Sequence, residues 1–372
     1  MIGDTMDVGI YAPELDSDEI GAPEYCIKQT IPHLRDRISI TLLTHEHKRH
    51  PIYKDQRVIS NNYLNINSDI NKADLDVVHF CGFAHRDVPI LLSPPTVLSY
   101  HGDVQWAEPH LNYGDNPLRA SRRQRMIEVI KLCQYDHVAY VSDDVRSRVE
   151  QRYSRFSPPS TVVYNGIDHN HYRPVAPEPM LNKYDIERPY VLHVSNFSER
   201  KNPGRLVRAF REATKYCGVD LVIVGDGWEE STEINNLLDR MNVKDKVSML
   251  GYVSERDLPG LYSGAEVFVF PSIHECFGLP VIEAMACSTP VITANSYALP
   301  EIADSAAVYC DNTSIESIAN TIEYVVKCDD VQERYSRFGR ERASKFSWER
   351  RAEELVEVYR SVTNRKGQTS LS

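Results

Sequence analysis

No C-x-x-C pair occurs among the eight cysteines, Cys26, Cys81, Cys133, Cys217, Cys276, Cys287, Cys310 and Cys328. That excludes a zinc ribbon or a dithiol redox motif. In a chain of 372 residues the scattered thiols read as free, mostly buried and kept in a reducing compartment. Long hydrophobic runs are also lacking, and none approaches the ~20 residues that a membrane span needs. The opening stretch MIGDTMDVGIYAPELDSDE holds no basic segment followed by an apolar one, so no secretory signal is expected. The expected location is cytoplasmic, with at most a peripheral contact at the inner face of the cell membrane. Positive charge is in deficit: 42 Lys and Arg stand against 53 Asp and Glu, a net charge of −11. A general nucleic-acid binder would want a basic stripe instead. There is no G-x-x-x-x-G-K-[ST] run, which excludes a P-loop enzyme, and Gly225-Asp226-Gly227 lacks the third glycine of a dinucleotide fingerprint.

What is present is an alternation of β-rich runs and amphipathic stretches. Strands are expected at Val8–Tyr11, Ile38–Leu43, Val77–Phe80, Thr96–Tyr100, Val138–Val141 and Val162–Tyr164. A second set is expected at Tyr190–Val194, Leu221–Val224, Val247–Leu250, Val267–Phe270 and Val291–Thr293. Alternation of this kind predicts an α/β fold of parallel sheets covered by helices. Between the sets lies His171–Pro189, rich in proline and without a clear period, which reads as a linker. The expected division is an N-terminal domain over residues 1–172 and a C-terminal domain over residues 185–345. The last strong helix, 347–363, carries Trp348, Ala352, Leu355, Val358 and Val362 at helical spacing. Two doubly wound sheets of this type, facing each other, would make a cleft at the carboxyl ends of their strands.

The most informative stretch is VFVFPSIHECFGLPVIE, Val267–Glu283. A buried strand stops at Pro271, a loop holds His274 and Glu275, and a helix opens around Gly278 with Pro280 in its first turn, where a missing N–H costs nothing. Such a helix start offers free N–H groups and partial positive charge to an anion. Gly278 removes the side chain that would block approach. Glu275 stands before this anion site, and Glu283 lies about a turn into the helix, roughly 5 Å further on at ~1.5 Å per residue. Carboxylates are good acceptors for hydroxyl groups. Two of them flanking one anion site match a ligand built as polyol, diphosphate, polyol, which is the shape of a nucleotide sugar. As a bare spacing the pair would be a loop acid and a helix acid; the strand, loop and helix around it give it meaning.

On HECFGLPVIEAMACSTPVITANSYALPEI the chain resembles the retaining GT-B glycosyltransferases of the glycosyltransferase 4 type (glycosyl transferases group 1), with Glu275 and Glu283 in the E-x7-E segment. The resemblance implies a GT-B fold, two Rossmann-like domains with the C-terminal helix crossing back to the first. It implies that Glu275 contacts donor-sugar hydroxyls, that amides near Phe277, Gly278 and Leu279 hold the diphosphate, and that Glu283 binds the ribose. VLHVSNFSERKNPGRLVRAF (191–210) looks like the segment that brings positive charge to the diphosphate, with Lys201 at the family lysine and Arg200 beside it. Where the family often has Gly-Arg, this chain has Ser195-Asn196, so Asn196 occupies the place of that arginine. IGAPEY (20–25) looks like the N-terminal glycine loop, which makes Gly21 a phosphate contact, and VLSYHGD (97–103) looks like the segment with the active-site histidine, His101.

The expected reaction is transfer of a hexose or N-acetylhexosamine from a UDP- or GDP-sugar to a glycan or lipid-linked acceptor, without metal or cofactor. By resemblance the anomeric configuration is retained through front-face attack. The charge that builds on the leaving diphosphate needs preorganised positive groups. The candidates are Lys201, Arg200, the helix start at Gly278 and amides near Gly21; Glu275 and His101 complete the catalytic set. A GT-B-shaped nucleotide-sugar epimerase and an inactive nucleotide-sugar-binding partner subunit are the competing readings. Other motifs read as structural. Asp74-x-Asp76 leads into a strand, Asp143-Asp144 follows Ser142 as the acidic first turn of a helix, and His45, His47 and His50 are interleaved with Lys48 and Arg49 in a loop.

Overall fold

The computed structural model describes residues 5–12, 22–44, 57–60, 66–82, 92–102, 129–153 and 156–369. The chain divides into two compact units, one of residues 1–166 with 348–372, the other of residues 167–347.

The first unit is built on seven parallel strands: β1 (Asp7–Tyr11), β2 (Ser39–Thr44), β3 (Arg57–Ser60), β4 (Val77–Phe80), β5 (Thr96–Tyr100), β6 (His137–Tyr140) and β7 (Ser160–Val162). Their order is β3-β2-β1-β4-β5-β6-β7. Central strands such as Val77–Phe80 and Thr96–Tyr100 are buried throughout, as a parallel sheet covered on both faces requires. The helix Trp348–Thr369 returns to this unit. Its Ala352, Leu355, Val356 and Tyr359 share one cluster with Ile27, Ile31 and Leu34 of the helix Ala22–Leu34 and with Val8, Ile10 and Val97 of the sheet. Burial of each large aliphatic side chain there contributes about 1.5–3 kcal/mol, so the apolar stripe read in the sequence is what docks this helix.

The second unit has six parallel strands: β8 (Tyr190–Val194), β9 (Asp220–Val224), β10 (Val247–Met249), β11 (Val267–Phe270), β12 (Val291–Ala294) and β13 (Val308–Cys310). The order is β10-β9-β8-β11-β12-β13. Chain direction across the sheet reverses between β8 and β11, so the crevice at their carboxyl ends is the switch point where doubly wound sheets take ligands. Leu206 and Phe210 of the helix Pro203–Ala213, Trp228, and Ile318 and Ile322 of the helix Ile315–Lys327 fill one side of this sheet.

The stretch His171–Pro189, expected as a linker, lies within the second unit. It holds the helix Glu178–Tyr184, whose Lys183 and Tyr184 donate to Asp257 Oδ2 at 2.6 and 2.7 Å. Its prolines misled because Pro177 and Pro179 sit at the helix start, where no N–H is needed. The strands β3 and β13 and the helix Asp329–Ala343 also went unread. Asp76 is structural as expected, accepting from the Asp7 amide at 2.8 Å. Ser142 caps the helix Asp143–Tyr153, its Oγ accepting from the Val145 amide at 3.3 Å. All eight cysteines are free, five of them buried. Among the described residues no helix is long and apolar enough to cross a membrane.

Candidate active site

The site of the second unit starts from the two loops that leave the switch point. After β8 the chain turns at Ser195. His193 Nδ1 lies 2.8 Å from the Val269 carbonyl, which can only accept, so this nitrogen carries the proton. His193 Nε2 is then an acceptor and takes the Ser195 hydroxyl at 2.8 Å. Burial holds the imidazole neutral, its pKa lowered to about 4. Trp228 Nε1 donates to the Ser195 carbonyl at 2.7 Å. Gly225 packs against that carbonyl at φ +130°, where a Cβ would stand 2.1 Å from the oxygen. Only glycine fits there. The turn is thereby fixed from three sides. Asn196 is exposed on it, its Oδ1 accepting from the Asp226 amide at 3.2 Å.

The same loop runs on to Arg200, Lys201 and Asn202. Asn202, at φ +64°, donates from Nδ2 to the carbonyls of Pro271 and Asn312 at 3.0 and 2.7 Å. The Ile273 amide bonds the Arg200 carbonyl at 2.8 Å. The loops after β8 and β11 are thus tied together, and that brings the predicted residues into contact. Lys201 Nζ donates to Glu275 Oε1 at 2.7 Å, and Arg200 Nη1 stands 2.7 Å from Glu275 Oε2. Lys201 also lies 4.7 Å from the Phe270 ring centroid. Burial by itself pushes the Glu275 carboxyl up; Lys201 and Arg200 overcome this and bring it down to about 2. Burial lowers the pKa of Lys201. Two cations against one carboxylate leave a net positive charge, which suits an incoming anion.

Beyond Glu275 the chain passes Cys276 and Phe277 and opens the helix Leu279–Ala286, with Gly278 at its N-cap. Gly278 holds φ +97°, and a Cβ there would come within 2.9 Å of Leu299 Cδ2. Leu279 is the first helical residue, so its amide has no partner within the helix. Phe277 is buried edge-on against Phe346, with ring centroids 5.7 Å apart. Glu283 is also buried, but it stands apart from the Lys201–Arg200–Glu275 cluster in its bonding: the Tyr262 hydroxyl donates to Glu283 Oε2 at 2.9 Å. Burial raises this carboxyl to about 7, against the lowering by Tyr262. The two glutamates read from one motif therefore have opposite electrostatic characters.

His101 belongs to the first unit and directly follows β5. Its Nε2 is buried with no hydrogen-bond partner among the described residues. Burial, then the charge of Arg351, holds its pKa well below the usual histidine range. Gly21 lies outside the described residues, as do His45, His47 and His50. Sequence reasoning missed His193, Trp228, Tyr262 and Asn202, and took Ser195 only as a departure from the family pattern. None carries a motif signal; each acts by supporting a residue that does.

A family model for glycosyl transferases group 1 matches residues 181–342, and one for glycosyltransferase family 4 matches residues 7–171. The chain belongs to the GT-B glycosyltransferases of the family 4 type. This glycosyltransferase is 32% identical over 186 residues to the O-antigen chain mannosyltransferase B of Escherichia coli, a match spanning 49% of each chain. The chain thus aligns with about half the length of that relative. Sucrose-phosphate synthase of Thermosynechococcus elongatus shares the fold with a TM-score of 0.77 at 20% identity, over 96% of this chain and 98% of that one. The Anabaena protein HepE, solved in complex with UDP and glucose, gives a TM-score of 0.75 at 17% identity, over 96% and 100% of the two chains.

Proposed function

We propose that this glycosyltransferase moves a hexose or N-acetylhexosamine from a UDP- or GDP-sugar to a glycan or lipid-linked acceptor, with retention and without a metal ion. The observation that carries the reading is the cluster of Lys201, Arg200 and Glu275 at the switch point, one residue pair before the helix that opens at Gly278. A diphosphate accepts from Lys201, Arg200 and the helix-start amides, which take up the charge that builds as the glycosidic bond breaks. Glu275, ionised at neutral pH, accepts from hydroxyls of the sugar being transferred. Glu283, held by Tyr262, accepts from the ribose hydroxyls. His101 acts at the reacting sugar. The name of the E. coli relative favours mannose, and the ligands of the Anabaena protein favour a UDP-sugar, so both nucleotides belong in the test. A lipid-linked acceptor would bring the chain to a membrane surface.

The test is a panel of UDP- and GDP-sugars read by thermal shift, followed by assay of nucleoside diphosphate release. Tight binding to the folded chain raises the midpoint. One donor that both stabilises the protein and is slowly hydrolysed supports transfer. An isomerised donor would make the chain an epimerase, and binding without either product would make it an inactive subunit.

A further inference from the structure

The first unit contains a fully buried cation that no part of the donor site uses. Arg351 lies one turn into the returning helix and is 2% exposed. Its Nη1 donates to the carbonyls of Val163 and Tyr164 at 2.9 and 3.2 Å, and its Nη2 donates to Ser99 Oγ at 3.3 Å. These acceptors are all neutral. Ser99 Oγ in turn lies 2.8 Å from His79 Nε2, and Tyr359, on the same helix as Arg351, bonds His79 Nδ1 at 2.7 Å. The network therefore joins β4, β5, the segment after β7 and the returning helix. A buried charge of this kind is costly and adds little net stability, so stability alone does not account for it.

Its place points to a use. Ser99 lies in β5 and His101 directly follows the strand's last residue, Tyr100, so the two are joined by one intervening residue. Immediately beyond, Gly102 turns the backbone at φ +80°. The His101 Nε2 has no hydrogen-bond partner among the described residues, and among those residues Arg351 and His79 are the charged or titratable groups whose fields reach it. Val163 and Tyr164, the other acceptors of Arg351, stand just before the chain leaves the first unit at Gly166.

We propose that Arg351 is a positioning residue for His101, its fork fixing the end of β5 against the returning helix and the Val163–Tyr164 segment. A guanidinium suits this task because three acceptors on two separate segments must be met by one rigid group, which an ammonium cannot do. The inference rests on the reading of His101 as a residue at the reacting sugar, and the experiment separates the two.

The variants are Arg351→Met, Arg351→Lys and Ser99→Ala, with His101→Ala as reference. Each is measured for unfolding midpoint, for UDP and GDP affinity, and for nucleoside diphosphate release from UDP-glucose and GDP-mannose. Ser99→Ala removes one contact of the fork and the bond to His79 Nε2 but keeps the two carbonyl contacts of Arg351, and its unfolding midpoint shows whether it is folded where Arg351→Met is not. Displacement of a reacting group by about 1 Å costs on the order of 100-fold; Ser99→Ala and Arg351→Lys should lose tenfold or more in turnover, with nucleotide affinity within twofold of wild type. With histidine-selective 15N labelling, the His101 ring resonances, assigned by their loss in His101→Ala, should shift in both variants. Unchanged turnover and unmoved His101 resonances in a folded Ser99→Ala or Arg351→Lys variant overturn the proposal. Loss of affinity in proportion to turnover also overturns it. If His101→Ala keeps full turnover, the role of His101 fails, while the resonances still decide whether Arg351 places it.

Discussion

Replacing Glu283 with glutamine keeps the shape and the acceptor that Tyr262 uses, but removes a titration. Burial lifts the Glu283 carboxyl from 4.5 to about 7. A folded-state value above the unfolded one means that between about pH 4.5 and pH 7 the folded chain holds a proton that the unfolded chain has released. Stability therefore falls as pH rises through this window. The difference of about 2.5 (7 − 4.5) corresponds to about 3 kcal/mol at 1.36 kcal/mol for each pH unit. Glu283→Gln should match the wild type near pH 4.5 and exceed it by up to about 3 kcal/mol at pH 8. For a unit of this size that is about 6–12 °C in midpoint. The same change should weaken nucleoside diphosphate binding at pH 8, because hydrogen bonds to a charged acceptor contribute about 1.5–3 kcal/mol, more than those to a neutral one. Unfolding midpoints of both proteins from about pH 5 to 8, with UDP and GDP titrations at pH 8, check both limbs. An offset that does not change with pH, or a glutamine variant less stable at pH 8, refutes the reasoning.

Glu275→Gln should behave in the opposite sense. Its carboxyl is lowered to about 2, so it contributes stability above pH 4.5 that is lost as pH falls toward 2. The variant should unfold earlier in urea at pH 7, with the gap narrowing at pH 3. Lys201→Ala should weaken nucleoside diphosphate binding about 10- to 150-fold, the equivalent of one charged hydrogen bond of about 1.5–3 kcal/mol, as measured by calorimetry. Gly278→Ala should cost about 1–2 kcal/mol in unfolding experiments, since it forces a Cβ into the left-handed region beside Leu299. His101→Ala should lower turnover far more than donor binding; equal loss of both would remove His101 from the reaction centre.

The repeated strand-and-helix pattern was readable because parallel strands are buried on both faces: VFVF announces itself as a continuous apolar run and TVLSY as a β-rich one. The short strands RVIS and VYC do not. The helix Glu178–Tyr184 was hidden by prolines that sit where helices tolerate them. At the site, Glu275, Gly278, Glu283 and Lys201 were legible because strand, loop and helix appear consecutively in the chain. What could not be read was the pairing of residues far apart in sequence: Lys201 with Glu275, 74 positions away, or Tyr262 with Glu283. The opposite environments of the two glutamates follow from those partners, and no local spacing encodes them. Ser195 looked like a departure from the family pattern. The fold supplies its reason, since its hydroxyl is committed to His193 and its carbonyl to Trp228.

The most direct measurement is a crystal structure of the chain soaked with GDP or UDP at neutral pH. The account predicts the β-phosphate within hydrogen-bond distance of Lys201 Nζ and the amides at Gly278 and Leu279, with ribose hydroxyls on Glu283. A nucleotide seated elsewhere, or phosphates there while Glu283 still bonds only Tyr262, would contradict it.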